Sequence, residues 1–391
     1  MYPQFNRSTG IRSLQRFAFA AVFACSVFAN YAATVSGALK KYHPVKILFT
    51  GPSTNESSST NPFMNYRLNV TFSKGTKAYI VPGYYAADGD AGNSQASSGN
   101  KWAVHFTPDE TGTWSYTASF RQGSNVAIDL SVTAGTATSF DGETGTFTIA
   151  DTDATGKDFR RKGMLEYVGE RYYRFQNGSY FLKGGVGGPE NFLGYYEFDQ
   201  TSDQGGLYAN LTGGLHHYDP HSGDYNSDGS LWTSSNKGSR IYGALNYLAS
   251  QGVNSLYFLV MNINGDGRDV WPYTSYGERY RFDCSKLDQW NMVFEHMMKK
   301  GICMDMYLSE IENDGLLDGG ETGTQRKIFI RELVARFAHN HAITWNIGEE
   351  NEQTTAQRKA MADYIRAVDP YDHPIGLHTT IGGYSAAYTP L

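Results

Sequence analysis

The 391-residue sequence contains only three cysteines, too few for a disulfide-stabilised scaffold. Charged residues make up 18% of it and the net charge is -6, so it has no excess of basic residues for a nucleic-acid-binding face. Aromatic residues, in contrast, are plentiful (28 Tyr, 22 Phe and 6 Trp), whereas disordered chains are poor in them. The composition therefore predicts a folded protein that does not bind nucleic acid, with a length typical of two to three domains.

Long hydrophobic runs are also scarce, and the clearest one lies at the N-terminus. Residues 17–29 form an almost entirely apolar run of about 13 residues, whereas a transmembrane helix needs about 20. The run follows a segment with Arg7, Arg12 and Arg16 and precedes small residues, which is the pattern of a secretory signal peptide. We therefore expect residues 1–33 to be removed, the mature protein to be secreted (extracellular or periplasmic), and no segment to span a membrane.

Residues 40–135 show the pattern of an all-β domain. Short segments rich in aromatic and β-branched residues alternate with clusters of Gly, Pro, Asn, Asp and Ser. Strands are predicted at 45–50, 66–72, 78–81, 102–106, 113–120 and 126–132. Regularly spaced short strands are typical of an immunoglobulin-like β-sandwich. Residues 136–169 are rich in Gly, Thr and Asp and are interpreted as a connecting segment with one or two further strands, one of them at 145–149.

Residues 170–391 follow a different pattern, in which apolar runs alternate with amphipathic helices. Helices are predicted at 240–250, 285–300, 325–340 and 354–368, with Thr354 as the N-cap of the last one. Buried strands are predicted at 180–183, 253–261, 302–308, 341–347 and 374–378. Repeated strand–helix units with buried strands predict a parallel sheet, here of the (β/α)8 TIM-barrel type. Because only about five strands fit before residue 380, we expect the barrel of this chain to be incomplete at its C-terminus.

Polar side chains follow every predicted strand of this second region. They are Glu190, Asn191, Asn262, Asn264, Glu310, Glu349, Glu350, Asn351 and His378. Because the carboxyl ends of barrel strands meet at one rim, we expect these side chains to surround one cleft. Trp271 follows a Gly-Asp-Gly loop and is a candidate platform for stacking on a sugar ring. Carboxylates beside amides and aromatics are typical of glycoside hydrolysis, which needs a protonated carboxylic acid and a second carboxylate.

Glu349 and Glu350 stand next to each other after the apolar run of the fourth predicted barrel strand. An adjacent carboxylate or partial burial raises the pKa of a carboxyl group, as a general acid requires. Successive side chains in an extended strand point to opposite faces, so only one of the two faces the cleft. The dipeptide alone is about equally compatible with a catalytic carboxyl and with two solvent-exposed loop acids that have no catalytic role.

Trp345–Asn351 resembles the end of the fourth strand in retaining glycosidases of clan A. Those enzymes carry an Asn-Glu pair there, whose Glu is the acid/base. The resemblance implies that Glu350 is the acid/base, while Glu349 replaces the usual Asn and is the reserve candidate. The nucleophile of the clan follows the seventh strand, which implies that it lies beyond the end of this chain.

The N-terminal region resembles the domain of unknown function 5060, a sandwich found ahead of glycosidase barrels. The motifs that carry the wider resemblance are Phe49–Pro52, Asn61–Phe63, Val81–Asp90, Gly99–Trp102, Gly243–Ala249, Ser285–Trp290 and Arg331–Phe337. They cover most of residues 45–380 and imply a secreted hydrolase that acts on a polysaccharide or oligosaccharide. Two alternatives stay open: a non-catalytic carbohydrate-binding or cell-surface protein with a degenerate barrel, and a polysaccharide lyase.

Other motifs are weaker. Gly184–Gly188 lacks the spacing of a phosphate-binding loop, so no cofactor is predicted. Asp224–Gly229 matches the start of an EF-hand loop, but Ser235 stands at the twelfth position, where that loop needs a Glu. Calcium and a plain polar turn both stay open there, and no metal ligand is assigned. The pairing of Cys284 with Cys303 also stays open.

Overall fold

The N-terminal part of the computed structural model, which describes residues 33–206 and 214–380, contains two antiparallel β-sheets. In sheet order, the first has β1 (Thr34–Gly37), β2 (Val45–Asn55), β6 (Ser98–Phe106) and β5 (Tyr84–Tyr85). The second has β4 (Lys77–Pro82), β3 (Tyr66–Lys74), β7 (Gly112–Gln122) and β8 (Thr136–Ala137), and β9 (Thr144–Ile149) also pairs with β7. Two short helices, α1 (Pro62–Asn65) and α2 (Ala91–Ser94), lie between strands along the chain.

The two sheets pack face to face through aromatic side chains, which makes this part a β-sandwich. Phe72 of β3 stacks on Phe106 of β6 with ring centroids 4.1 Å apart. Phe49 of β2 meets Tyr116 of β7 edge to face at 6.1 Å. Alternate side chains over residues 68–72 are buried, as the alternating pattern predicts.

One strand predicted in this region is wrong. Residues 126–132 contain a 3-10 turn at Val126–Ile128 instead of a strand, because Asn125 adopts a left-handed backbone (φ 54°) and turns the chain. The second sheet takes β8 and β9 from residues 136–169, the predicted connecting segment, and the strand expected at 145–149 is confirmed as β9.

A small antiparallel sheet follows the sandwich along the chain. Its strands are β10 (Leu165–Glu166), β11 (Tyr173–Phe175) and β12 (Tyr180–Phe181). The strand predicted at 180–183 therefore does not begin the parallel sheet, since Phe181 pairs with Tyr173 in an antiparallel register. The first parallel strand is a short one at Gly185–Val186, which pairs with Ser255 and Leu256.

The rest of the described chain forms a five-stranded parallel sheet with alternating helices. Its strands, in spatial and chain order, are β13 (Gly185–Val186), β14 (Ser255–Leu259), β15 (Cys303–Tyr307), β16 (Ile343–Asn346) and β17 (Ile375–Gly376). The helices are α3 (Ser239–Ser250), α4 (Cys284–Lys300), α5 (Thr324–Phe337) and α6 (Thr355–Val368). All four predicted helices and the last four predicted strands are confirmed. The row from β13 to β17 is open, so the described strands form no closed barrel, and the predicted TIM-barrel type is not confirmed.

The two faces of the parallel sheet differ in character. One face packs on the helices, as where Phe258 of β14 meets Phe294 of α4 with ring centroids 5.5 Å apart. On the other face, the register places Tyr257 beside Asp305 and sets Tyr307 one row further toward the carboxyl ends. The carboxyl ends of all five strands lie at one edge, and this edge positions the residues that follow them.

Buried arginines of α5 join the sandwich to the parallel-sheet part. Arg336 donates to the carbonyl of Tyr85 at 2.9 Å and pairs with Glu332 at 2.7 Å and Asp288 at 2.9 Å. Arg331 donates to a β3 carbonyl at 2.8 Å. A buried charge without partners is costly, so these contacts fix the two parts against each other.

Two further predictions and one open question concern the chain as a whole. No helix in residues 33–206 and 214–380 is long and apolar enough to cross a membrane. Cys284 and Cys303 are buried free thiols. The predicted signal peptide, residues 1–33, lies outside the described residues except for its last position.

Candidate active site

The loops after four parallel strands bring carboxyl groups together at the rim where the cleft was predicted. Glu190 follows β13, Asp266 lies in the loop after β14, Glu310 follows β15 and Glu349 follows β16. Burial raises the pKa of each of these groups, and neighbouring carboxylates of the cleft raise it further. The four groups therefore act on one another electrostatically, as residues at a shared rim should.

Glu349 has the environment of a proton-holding carboxyl. Its side chain is only 13% exposed, and its Oε1 lies 3.4 Å from Nδ1 of His378. Its backbone N–H donates to the carbonyl of Ser309 at 2.8 Å, which holds the residue against the end of β15. Burial, followed by the charges of Glu190 and Glu350, raises its pKa to about 7. Glu349 therefore exchanges its proton near neutral pH.

Glu350 lies in a different environment although it is the next residue. Its backbone is left-handed (φ 45°), and the side chain is exposed. It still acts on the cleft, because its charge raises the pKa of Glu190, Asp266 and Glu349. The resemblance to clan A favours Glu350 as the general acid, whereas burial, which raises the pKa of Glu349, favours Glu349.

Glu310 is the most deeply buried carboxyl of the cleft. It is 2% exposed, and its Oε1 has no hydrogen-bond partner. Burial, then the charges of Glu312 and Asp266, raises its pKa to about 9, so the group is neutral at pH 7. A Cβ at Gly265 would lie 1.1 Å from this Oε1, so the Gly265 backbone lies directly against the carboxyl. Glu310 is thus almost fully buried in this structure, and its contact with substrate stays a prediction.

Two tyrosines that the sequence analysis did not single out lie in the cleft. The rings of Tyr257 and Tyr307 have centroids 4.1 Å apart, and Tyr307 meets the His378 ring edge to face at 5.9 Å. The Tyr257 hydroxyl interacts with Glu190 and lowers the pKa of that carboxyl against the effect of burial. The sequence did contain a signal for this position. The chain neighbours of each tyrosine point to the opposite face of the sheet and are apolar, so this alternation indicates that the tyrosines point to the other face.

Two predicted substrate-binding amides are instead engaged with the protein. Asn262 is 1% exposed and Asn191 is half-buried, and the side chains of both donate to the carboxylate of Asp269. The structure thus places Asn191 and Asn262 in contacts between loops, and their contact with substrate stays a prediction. Polar groups after a strand also serve to close loops, and the sequence does not distinguish the two uses.

Asn351 is likewise withdrawn from the cleft. Its Nδ2 donates to Asp314 at 2.9 Å, and its Oδ1 accepts from Nε of Arg358 at 2.8 Å. The residue is 2% exposed, and its contact with substrate stays a prediction. The backbone N–H of Asn264 donates to the side chain of Asn313 at 3.0 Å, which fixes the loop after β14.

Trp271, the predicted stacking platform, is buried in this structure. It is 2% exposed, with Nζ of Lys286 5.2 Å from its ring centroid and the ring of Tyr276 meeting it edge to face at 5.4 Å. No open ring face is left for a sugar, because the loop folds the indole inward against α4.

Potential metal ligands also occur away from the cleft. His105, Glu295 and His339 have ligand atoms within 4.8 Å of one another. The two imidazoles are stacked, with centroids 4.4 Å apart and planes 18° apart, so their in-plane lone pairs do not converge on one ion. In the segment with EF-hand similarity, Asp228 pairs with Lys300 and Asp224 pairs with His221.

Comparison with known proteins agrees with this architecture. Residues 38–121 match the model of the domain of unknown function 5060. A candidate glycoside hydrolase from Bacteroides vulgatus ATCC 8482 matches 87% of this chain at 18% identity with a TM-score of 0.58. The chain thus has the fold of that structure, but it spans only 56% of that structure's length.

Two other structures are more distant. A glycoside hydrolase family 5 protein from Bacteroides vulgatus ATCC 8482 is 16% identical, covering 56% of this chain and 40% of that one, with a TM-score of 0.34. A glycosyl hydrolase family 2 member from Bacteroides cellulosilyticus DSM 14838 is 12% identical, covering 93% of this chain and 38% of that one, also at 0.34. No curated protein matches the chain.

Proposed function

We propose that this chain carries the sandwich and barrel strands of a secreted glycoside hydrolase of the TIM-barrel type, with Glu349 as the general acid. The observation that carries the proposal is the half-buried Glu349 carboxyl, whose pKa is raised to about 7 and which faces Glu190 and His378. A glycosidase needs one carboxyl that stays protonated near neutral pH, and burial beside other carboxylates produces one. The fold shared with the Bacteroides vulgatus structure supports the same class.

The chemistry follows from the protonation state. The neutral Glu349 carboxyl donates its proton to the glycosidic oxygen as the bond to the sugar carbon breaks, and the resulting carboxylate then activates water. A second carboxylate about 5–5.5 Å away attacks the sugar in a retaining enzyme. The resemblance to clan A assigns that nucleophile to the seventh strand, beyond the five parallel strands of the described residues. The predicted signal peptide makes the substrate an extracellular or periplasmic polysaccharide or oligosaccharide.

The test compares Glu349→Gln with Glu350→Gln, a matched pair on adjacent residues, in a protein that extends through the seventh barrel strand and therefore carries the nucleophile. Reducing-end release is measured on a panel of polysaccharides, and aryl glycosides serve as substrates that need little protonation. Because general acid catalysis contributes about 10²–10⁴-fold, E349Q should lose about 100-fold or more on polysaccharides and much less on aryl glycosides with good leaving groups. E350Q should stay within about threefold of the unmodified protein. The activity should also fall as the pH rises through about 7, since Glu349 must be protonated.

The opposite ranking of the two variants would assign the acid to Glu350, as the motif resemblance implies. The second candidate function is a non-catalytic carbohydrate-binding protein, which the open row of five parallel strands favours. It predicts glycan binding by calorimetry without reducing-end release from any polysaccharide.

A further inference from the structure

One buried carboxylate links the two loops that carry Glu190 and Asp266. Asp269 is 2% exposed, and its two oxygens accept from different amides. Oδ2 accepts from Nδ2 of Asn191 at 2.6 Å, and Oδ1 accepts from Nδ2 of Asn262 at 2.8 Å. Asn191 follows β13 and Asn262 follows β14, so Asp269 bridges the ends of two neighbouring strands.

Each amide is in turn fixed by a second contact. Oδ1 of Asn262 accepts from the backbone N–H groups of Asp269 at 3.0 Å and Val270 at 2.8 Å, which closes residues 262–270 into a loop. Oδ1 of Asn191 lies 2.7 Å from Nε2 of His216. These contacts leave each amide with a single orientation, in which Nδ2 points to Asp269.

Two glycines close the space around the carboxylate. A Cβ at Gly194 would lie 2.7 Å from Oδ2, and a Cβ at Gly267 would lie 2.6 Å from Oδ1. The carboxylate is therefore surrounded by backbone and two amides. Desolvation strengthens hydrogen bonds and penalises any that is lost, so the link is rigid.

The contacts of Asp269 lie beside two carboxyl groups of the candidate site, Glu190 and Asp266. Glu190 is the residue before Asn191, and its backbone carbonyl accepts from the N–H of Leu259 at 2.8 Å. Asp266 lies inside the loop that Asn262 closes. After burial, the charge of Glu190 is the largest influence that raises the pKa of Glu349, and Asp266 adds to it.

We propose that Asp269 is a positioning residue that holds Glu190 and Asp266 at their working distance from the Glu349 carboxyl. The proposal rests on the proposed function only in treating Glu349 as the acid. It assigns to Asp269 a task that no motif in the sequence indicated. A purely structural role would hold the fold without setting the titration of Glu349.

The network offers a swap that tests this task. Asn191→Ala removes the hydrogen bond from Asn191 to Asp269 without changing any charge. Asp269→Asn turns one of the two carboxylate oxygens into an NH2 group, which then faces the NH2 group of Asn191 or Asn262 and cannot accept its hydrogen bond. The double variant N191D/D269N restores the hydrogen bond between positions 191 and 269 with donor and acceptor exchanged, leaves an amide oxygen at 269 to accept from Asn262, and keeps the net charge. Thr354→Ala, at the N-terminus of α6, is the control for a loss of stability elsewhere.

The readout is the titration midpoint of the Glu349 carboxyl carbon by NMR on the whole chain. We expect N191A and D269N each to lower it by about half a pKa unit or more, because Glu190 moves away. The double variant should return it to within about 0.2 units of the unmodified value, and T354A should leave it unchanged. Where hydrolysis is measured, kcat should follow the same order, with about a tenfold loss in the single variants.

An unchanged midpoint in folded N191A and D269N would overturn the proposal, as would a double variant no better than the singles. If D269N does not fold, N191A decides the matter, because it retains the buried carboxylate. The readout needs no turnover. A midpoint that follows the swap series while E349Q still hydrolyses polysaccharides would therefore refute the proposed function and leave the positioning role standing.

Discussion

Replacing Glu310 with Gln should make the protein more stable at neutral pH and should change how its stability depends on pH. Glu310 is 2% exposed with a pKa raised to about 9, whereas an unfolded glutamate titrates near its model value of 4.5. Between these two values the folded protein keeps a proton that the unfolded chain releases. The free energy of unfolding therefore falls by about 1.4 kcal/mol per pH unit as the pH rises from 4.5 to 9.

Glutamine has nearly the same shape but no such titration, so Glu310→Gln removes this loss. The gain of the variant over the unmodified protein should be near zero at pH 4.5 and about 3 kcal/mol at pH 7. Any effect of packing the amide against Gly265 adds a constant offset, which leaves the slope intact. Urea unfolding of both proteins at pH 5, 6, 7 and 8 measures the difference directly.

The control is Glu312→Gln, two residues along the chain on an exposed side chain. It removes a neighbouring charge without removing a buried carboxyl, so its effect at pH 7 should stay within about 1 kcal/mol. A stability difference between E310Q and the unmodified protein that does not change from pH 5 to pH 8 would refute the reasoning. It would mean that Glu310 is ionised in the folded protein and has a partner for its charge.

Two further predictions concern single groups. Thr354 accepts from the N–H of Gln357 in a capping box with the Gln357 side chain, so Thr354→Ala should cost about 1 kcal/mol in urea unfolding, and Thr354→Ser should retain most of the stability. Burial lowers the pKa of His341 to about 3, so the unfolded chain takes up a proton below pH 6.5 that the folded protein does not, and the free energy of unfolding falls as the pH falls. His341→Gln removes this loss and should therefore gain about 2 kcal/mol of stability over the unmodified protein between pH 7 and pH 5. A stability difference that stays constant over that range would contradict the burial argument.

The sequence predicted well those helices and strands in which the spacing of apolar residues reflects one buried face. The helices α3 to α6 and the strands β14 to β16 were located from such patterns, with bounds within a few residues. The strand at 180–183 was misassigned because a short aromatic segment does not show which partner it pairs with. Its antiparallel pairing to Tyr173 depends on the turn between β11 and β12 and not on its own composition.

The location of the candidate site could be predicted from the sequence, but the roles of its individual residues could not. Strand ends rich in Glu, Asn and His indicated the rim, and Glu190, Glu310 and Glu349 do converge there. The amides of Asn191, Asn262 and Asn351 form hydrogen bonds with other loops, which the sequence does not show. Asp269 was missed because its task depends on two partners, one of them 78 residues away.

The two most perturbed carboxyls titrate in a fixed order, and this order explains why Glu190 matters more than its neighbour Glu310. Glu349 ionises near pH 7, while Glu310 keeps its proton until about pH 9. Glu349 therefore titrates beside a neutral Glu310, which exerts no full charge on it, and its midpoint depends on burial and on the carboxylate of Glu190. Glu310 titrates later, beside an ionised Glu349, and its pKa is raised further for that reason. A link that fixes the distance between Glu190 and Glu349 thus controls the proton of the candidate acid.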